Sequence, residues 1–192
     1  MISFFYDIIH YFFDLEYYLS HYSNERSRLW EFFAITLGSL AISISSFYLS
    51  PPYQTGFLLV VLSSTVFTYI LFYVLNRTIS SLVDYSFRKI HKIGDTLLLN
   101  HAFNFGILIF IFAIPLSIFS VKLNLFKLTA VILVFFPLKL VYLYLMIRIC
   151  SFVYRVHFYT ALTTIFRQYV FLIFIVFIFL FYAIMQIGYL AK

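Results

Sequence analysis

The sequence predicts an all-α polytopic membrane protein with five transmembrane helices and an N-terminal interfacial amphipathic helix. Of the 192 residues, 64% are hydrophobic and 10% are charged, whereas a soluble domain carries about 25% charged residues. Five apolar stretches are long enough to cross about 30 Å of hydrocarbon as a helix, which needs roughly 20 residues. They are apolar on every side, unlike the alternating strands of a membrane barrel, so a helical bundle is expected.

Residues 1–30 are predicted to form the interfacial helix and a connecting loop. Polar side chains recur at helical spacing with aromatic and aliphatic residues between them, and such a helix lies in the membrane interface. Its polar face is acidic and lacks the usual Lys and Arg, so packing on the basic inner segments is the alternative placement. The polar residues that mark this face are Ser3, Asp7, His10, Asp14 and His21.

Asp7, His10 and Asp14 lie on one face of that helix. A histidine and two carboxylates at this spacing are able to ligate a metal ion. The same spacing arises in any amphipathic helix, so a solvated stripe is the preferred interpretation. No metal site is predicted.

The remaining residues, 31–192, are predicted to form the transmembrane bundle. The third span contains the helix-disrupting residues Gly106 and Pro115, the fourth contains Pro137, and the fifth has no charge. The predicted spans are residues 31–50, 57–76, 102–120, 125–147 and 169–189.

The basic residues between the spans predict the orientation of the bundle. Nine of the 13 Lys and Arg fall in segments that share one side, and three fall on the other. The excess places the N-terminus inside, in a bacterial inner membrane or in the matrix of a mitochondrion, and the C-terminus outside. The inner residues are Arg26, Arg28, Arg77, Arg88, Lys89, Lys92, Arg148, Arg155 and Arg167; the outer ones are Lys122, Lys127 and Lys192.

The connections on the inner side, residues 77–101 and 148–168, are much longer than those on the outer side. Contacts with partners or lipid headgroups are therefore expected on the inner face. The candidate contact residues are Arg88, Lys89, Lys92, Arg148, Arg155 and Arg167.

Lys139 is the candidate polar site within the membrane, because it lies near the middle of the fourth span. An ionisable group at that depth is costly and usually functional. We expect it to face the bundle interior or a partner chain. Snorkelling of the long side chain to an interface is the alternative.

Several chemistries are disfavoured by what the sequence lacks. All seven acidic residues precede residue 96 and none is deep in a span, although membrane proton relays and acid–base pairs depend on such groups. Cys150 is the only cysteine, which excludes an intramolecular disulfide and a thiolate metal cage. No phosphate-binding loop, nucleophile elbow or zinc-enzyme helix occurs. We predict no catalytic residues, no cofactor and no nucleic-acid binding.

The layout resembles the Yip-type domain family of five-span membrane proteins. The resemblance is carried by the N-terminal helix, by Gly94 in the inner loop, by the third span Ala102–Pro115, and by the fourth-span stretch LVYLYLMIRI. Eukaryotic members of the family contact prenylated small GTPases and one another in Golgi and vesicle membranes, whereas most bacterial members have no assigned activity. This chain has no long N-terminal cytoplasmic domain, which argues against GTPase binding and favours a short bacterial-type member.

The resemblance implies a non-enzymatic membrane-organising or trafficking-type scaffold, with the lipid bilayer and other membrane chains, or copies of itself, as partners. One alternative is an accessory subunit of a larger membrane complex, such as an organelle-encoded subunit of a respiratory assembly, which would bury its apolar faces on neighbouring chains. A second is a small channel or transporter, whose water-accessible path would be lined by Lys139, Asn100, Asn104 and Gln186.

Overall fold

The structure is a computed structural model that describes residues 2–21, 24–49 and 56–190, with side chains at 4–21, 28–49 and 56–178. The described residues form helices, turns and short connections, and no strand occurs among them. Five of the described helical segments are long and apolar enough to cross a membrane. The predictions of an all-helical chain and of five apolar helices are confirmed.

The helices follow one another with short connections on both ends of the bundle. The third candidate span consists of two α-helices joined by a 3₁₀ segment, Ile107–Phe112. The α-helices are α1 (Ile2–Phe13), α2 (Leu15–Ser20), α3 (Asn24–Leu49), α4 (Phe57–Arg88), α5 (Thr96–Gly106), α6 (Ala113–Lys122), α7 (Lys127–Tyr154) and α8 (Phe158–Leu190).

The third candidate span is the centre of the bundle. Residues 101–110 are all buried, and α3, α4 and α7 contact this span from different sides. Gly38 of α3 allows the closest approach, since a Cβ atom there would lie 2.6 Å from the backbone oxygen of Ile107. Small residues commonly permit such close packing between membrane helices. The last helix, α8, packs against α4 and α7.

Pro115 explains why the centre of this span is not a regular α-helix. Proline has no N–H group and its ring disturbs the preceding turn of a helix. The chain forms the tighter 3₁₀ segment immediately before α6, and Pro115 occupies the first turn of α6, where proline is tolerated.

Most of the two long inner segments are helical rather than loop. Helix α4 continues twelve residues beyond the predicted span end at residue 76, because Ile79, Val83 and Phe87 recur at spacing four and are buried. Helices α5, α7 and α8 extend in the same way. The connections that remain are residues 89–95 and 155–157, and they define what we call the inner end of the bundle. The predicted spans lie within the helices, except for residues 125 and 126, which precede α7, and residue 50, which lies outside the described residues.

The N-terminal segment forms two helices instead of one. Asp14 separates them, because its side chain accepts a hydrogen bond from the backbone N–H of Tyr17 at 3.2 Å and so caps α2. Phe4, Tyr11 and Tyr18 are buried against the bundle. Glu16 lies 3.4 Å from Arg148, so α2 does contact a basic inner helix end. The interfacial location of α1 stays a prediction.

Candidate functional site

A network of buried polar side chains links five helices near the inner end. Tyr142 of α7 donates a hydrogen bond to Asn76 of α4 at 2.8 Å. Asn76 donates to Asn104 of α5 at 2.8 Å, and Asn104 donates to Glu31 of α3 at 2.5 Å. We call Tyr142, Asn76, Asn104, Glu31, His101 and Tyr18 the polar network.

His101 extends the network to the N-terminal helices. Its Nδ1 atom lies 3.6 Å from the carboxylate of Glu31, and its Nε2 atom lies 2.9 Å from the hydroxyl of Tyr18 in α2. Asn76 and Asn104 are fully buried and His101 nearly so. Polar groups at such sites cost free energy unless they are hydrogen-bonded. The network therefore fixes the relative positions of α2, α3, α4, α5 and α7.

Tyr11 attaches α1 to the same region. Its hydroxyl donates a hydrogen bond of 2.7 Å to the backbone oxygen of Ala102, and its ring packs against Phe105. Burial raises the pKa of the Tyr11 hydroxyl, so this group stays protonated and able to donate at any ordinary pH. A Cβ atom at Gly106 would lie 2.7 Å from the same hydroxyl, so the glycine provides the space that Tyr11 occupies.

A groove lies beside the polar network, between α3, α4 and α5. Its cavity volume is about 530 Å³, which falls within the size range of ligand sites. Its lining includes two arginines, one carboxylate, several hydroxyls, one amide and three apolar side chains. We call it the inner groove, lined by Arg28, Glu31, Phe32, Ile35, Tyr69, Tyr73, Arg77, Ser80, Ser81, Thr96, Leu97 and Asn100.

A second polar cluster braces the inner end. Tyr154 of α7 donates a hydrogen bond of 2.8 Å to one carboxylate oxygen of Asp84, and Arg88 donates one of 2.7 Å to the other. Gly94 lies against the ring of Tyr154, since a Cβ atom there would approach it to 2.6 Å. Gln168 of α8 bonds Ser86 of α4 at 2.7 Å. These contacts hold the ends of α4, α7 and α8 together.

The six predicted inner-face residues are all exposed. Lys89, Lys92 and Arg155 lie in the connections of the inner end, and Arg88, Arg148 and Arg167 lie on the helices that adjoin these connections. Arg88 pairs with Asp84 and Arg148 with Glu16, while the ammonium of Lys89 lies 4.5 Å from the ring centre of Tyr85. We call these six residues the basic platform: Arg88, Lys89, Lys92, Arg148, Arg155 and Arg167.

Lys139 of α7 is exposed on the surface of the bundle and does not lie in its interior. The neighbouring Leu138 is the buried residue at this level. The side chain of Lys139 therefore does not lie in the interior of this chain. A partner chain or a headgroup reached by snorkelling remains available to its ammonium.

Among the described side chains that the sequence assigns to a channel path, only Asn100 lines the inner groove. Asn104 is buried within the polar network, and Asn100 lines the inner groove and accepts a hydrogen bond from Ser80 at 3.4 Å. Lys139 lies on an exposed face of α7, and the side chain of Gln186 lies outside the described ones.

The three residues considered for a metal have other contacts. Asp14 caps α2, and the ring of His10 packs against Tyr6 and Tyr17. Among the residues with described side chains, no group of three or more His, Cys, Asp or Glu is placed to hold a metal ion.

Comparison of the chain with protein-family models, with curated proteins and with solved structures found no match. The resemblance to the Yip family therefore stays a prediction from the sequence. What the chain does must be argued from the polar network, the inner groove and the basic platform.

Sequence reasoning missed the inner groove and most of the polar network. Arg28 and Arg77 were counted only as orientation signals, and Glu31 and Asn76 only as the ends of predicted spans. The sequence did carry a signal for the polar network, because Glu31 and Asn76 lie at the same predicted depth in the membrane. Glu31 opens the first predicted span and Asn76 closes the second. Polar residues at matching depths on neighbouring antiparallel helices are candidates for direct contact.

Proposed function

We propose that this protein is a non-enzymatic membrane scaffold, of the kind implied by the Yip resemblance, and that it acts through its inner end. The observation that carries the proposal is the basic platform, whose six cationic residues are all exposed and lie on the connections of the inner end or on the helices that adjoin them. Clustered positive charge there favours acidic partners and anionic lipid surfaces.

The support beneath the platform favours a binding surface over a set of mobile tails. Asp84 holds both Tyr154 and Arg88, and Gly94 allows the 89–95 connection to approach the end of α7. The polar network joins the same helices farther in. A surface fixed before binding loses less conformational freedom when a partner binds.

The platform proposal is tested by comparing the native assemblies of two triple variants. Lys89→Gln/Lys92→Gln/Arg155→Gln removes three charges from the inner end, and Lys122→Gln/Lys127→Gln/Lys192→Gln removes the three that the sequence predicts on the outer side. After mild detergent extraction, we expect the inner variant to migrate as a smaller species on a native gel and the control to migrate as wild type. Equal migration of all three proteins would contradict the proposal.

A second candidate function is that of an accessory subunit, and residues 173–178 of α8 favour it. Residues 173–178 are all exposed. Among the described helices, α4 and α7 are the two that pack extensively against α8. A helix that is apolar all round and uncovered by its own chain faces lipid or a neighbouring subunit. Cysteine crosslinking from residues 174 and 177 to a distinct protein of fixed size, in preference to lipid exposure, would favour this candidate over the scaffold.

A further inference from the structure

We propose that the inner groove binds an anionic phospholipid of the inner leaflet. Its phosphate lies between Arg28 and Arg77, and one acyl chain lies along Phe32, Ile35 and Tyr69. The proposal deepens the inner-face function above and relies on it for the direction in which the groove faces.

The polar part of the groove has the donors that a phosphate diester requires. Arg28 and Arg77 both line the cavity, and guanidinium groups bind phosphate oxygens with two parallel hydrogen bonds. Arg77 is partly positioned already, since its guanidinium donates a hydrogen bond of 3.3 Å to the hydroxyl of Tyr73. The hydroxyls of Ser81 and Thr96 line the same part of the groove.

Glu31 does not cancel the attraction for an anion. Its carboxylate accepts a hydrogen bond from Asn104 and lies 3.6 Å from His101, so it is directed into the polar network. The side chain is 17% exposed. Two guanidinium groups therefore face the cavity against one carboxylate that is already engaged, which leaves the groove positive.

The groove changes from apolar to polar along α4, and this gradient distinguishes a lipid from a free anion. Tyr69, Tyr73 and Arg77 follow one another at spacing four on one face of the helix, and Ser81 continues the series. Ser81 lies twelve residues after Tyr69, a distance of about 18 Å at 1.5 Å per residue. Phe32 and Ile35 of α3 line the apolar part. Inorganic phosphate makes no favourable contact with the apolar part of the groove, whereas an acyl chain fills it.

The direction of the gradient matches the membrane. The apolar part lies toward the centre of the predicted second span, and Arg77 is the first residue past its predicted end at residue 76. A lipid held with its phosphate at Arg77 therefore keeps its headgroup at the inner interface and its chain in hydrocarbon, where each already lies in the bilayer.

Native mass spectrometry of the full chain in detergent tests the proposal, with phosphatidylglycerol, phosphatidylcholine and inorganic phosphate as probes. We expect wild type to retain phosphatidylglycerol in preference to phosphatidylcholine and to bind no inorganic phosphate. Arg28→Gln/Arg77→Gln is expected to weaken phosphatidylglycerol binding by about tenfold or more. Lys122→Gln/Lys127→Gln, which removes two charges outside both the groove and the basic platform, is expected to bind as wild type.

A second pair of variants fills space without changing charge. Ser81→Trp places an indole in the groove, and Ser63→Trp places one elsewhere on α4; both serines are exposed and donate to a carbonyl of their own helix. We expect only Ser81→Trp to weaken lipid binding, with both variants retaining the helical circular dichroism of wild type. The paired design detects a groove effect even if the double arginine variant does not fold.

Three outcomes would overturn the proposal. Equal losses in the two double-charge variants would show that the lipid responds only to the total positive charge of the chain, and equal binding by the two tryptophan variants would show that the groove is not occupied. Displacement of the lipid by inorganic phosphate would identify a free-anion site. Failure of the platform proposal can be distinguished from failure of the groove proposal. The groove variants leave Lys89, Lys92 and Arg155 unchanged, and the native-gel assay reports on those three residues.

Discussion

The side-chain amide of Asn76 donates a hydrogen bond of 2.8 Å to the side-chain oxygen of Asn104 across the contact between α4 and α5. Asn76 also accepts from Tyr142, and Asn104 also donates to Glu31. This one bond therefore connects the α7 side of the polar network to the α3 side. Its loss would leave buried polar groups unsatisfied on both sides.

Asn104→Ala is expected to destabilise the folded chain by about 1–3 kcal/mol, because it removes a hydrogen-bond partner from Asn76 and another from the Glu31 carboxylate. Asn100→Ala, one turn earlier on α5, removes only a 3.4 Å contact with Ser80 and serves as the control. Thermal unfolding in detergent measures both. Equal melting temperatures for the two variants would contradict the role given to Asn104.

Gly106→Ala is expected to release α1 from the bundle, because the new Cβ atom would lie 2.7 Å from the Tyr11 hydroxyl and 3.1 Å from the Tyr142 ring. Gly56→Ala is the control, since no described atom lies within 4 Å of a Cβ atom there. Hydrogen exchange of residues 2–20, followed by mass spectrometry, should be faster in Gly106→Ala alone. Unchanged protection would show that α1 is not held at this point.

Tyr154→Phe is expected to cost about 1–3 kcal/mol, because the buried carboxylate of Asp84 loses a hydrogen-bond donor. Tyr159→Phe removes the same hydroxyl from an exposed position five residues later and should cost little. Chemical unfolding of the two variants in mixed micelles separates these outcomes. A cost shared equally would place the stability of this corner in its packing and not in its hydrogen bond.

Single-cysteine labelling tests the orientation. In a Cys150→Ala background, cysteines at positions 92 and 155 are expected to react from the same side of the membrane, because both lie at the inner end. Cysteines at positions 122 and 127 are expected to react from the other side. A membrane-impermeant maleimide applied to sealed vesicles of each orientation makes the measurement. Labelling of 92 and 155 from opposite sides would refute the topology.

Lys139→Leu is expected to leave the monomer folded and its melting temperature unchanged or higher, because Lys139 is exposed on α7 and an apolar residue costs less in hydrocarbon. Leu138→Lys, which puts the charge at the adjacent buried position, is expected to unfold the chain. If Lys139→Leu instead removes a co-purifying protein while the monomer stays folded, the accessory-subunit candidate gains support.

The helical class and the number of candidate spans could be predicted, because hydropathy over a helix-length window measures what the bilayer requires. The helix ends at the inner face could not be predicted. Ile79, Val83 and Phe87 form an amphipathic extension of α4, and their burial depends on the other helix ends at this face. The break at Asp14 was also missed, since a capping aspartate and a solvated aspartate on a helix face look alike in a sequence. Both errors concern the choice between local patterns that tertiary contacts decide.

The site residues were harder to predict than the fold. Basic residues exposed at one end follow from charge counting, and the basic platform was identified in this way. The inner groove requires knowing that α3 lies beside α4 and α5, so that Arg28 and Arg77, far apart in sequence, line one cavity. Depth along a helix does not show which side of the helix faces its neighbours: Lys139 is exposed, and its contact with a partner chain stays a prediction.

The 3₁₀ segment in the third span also changes the angular phase of everything beyond it. Each 3₁₀ residue turns the chain by about 120°, against about 100° in an α-helix, so six of them add about 120° on ideal geometry. A wheel drawn through an unbroken α-helix would set Ser117 about 220° from Asn104, nearly on the opposite side. With the added turn the two directions differ by only about 20°, and Ser117 is fully buried. Six residues of altered pitch thus allow one span to present polar atoms inward both near its inner interface and near its outer one.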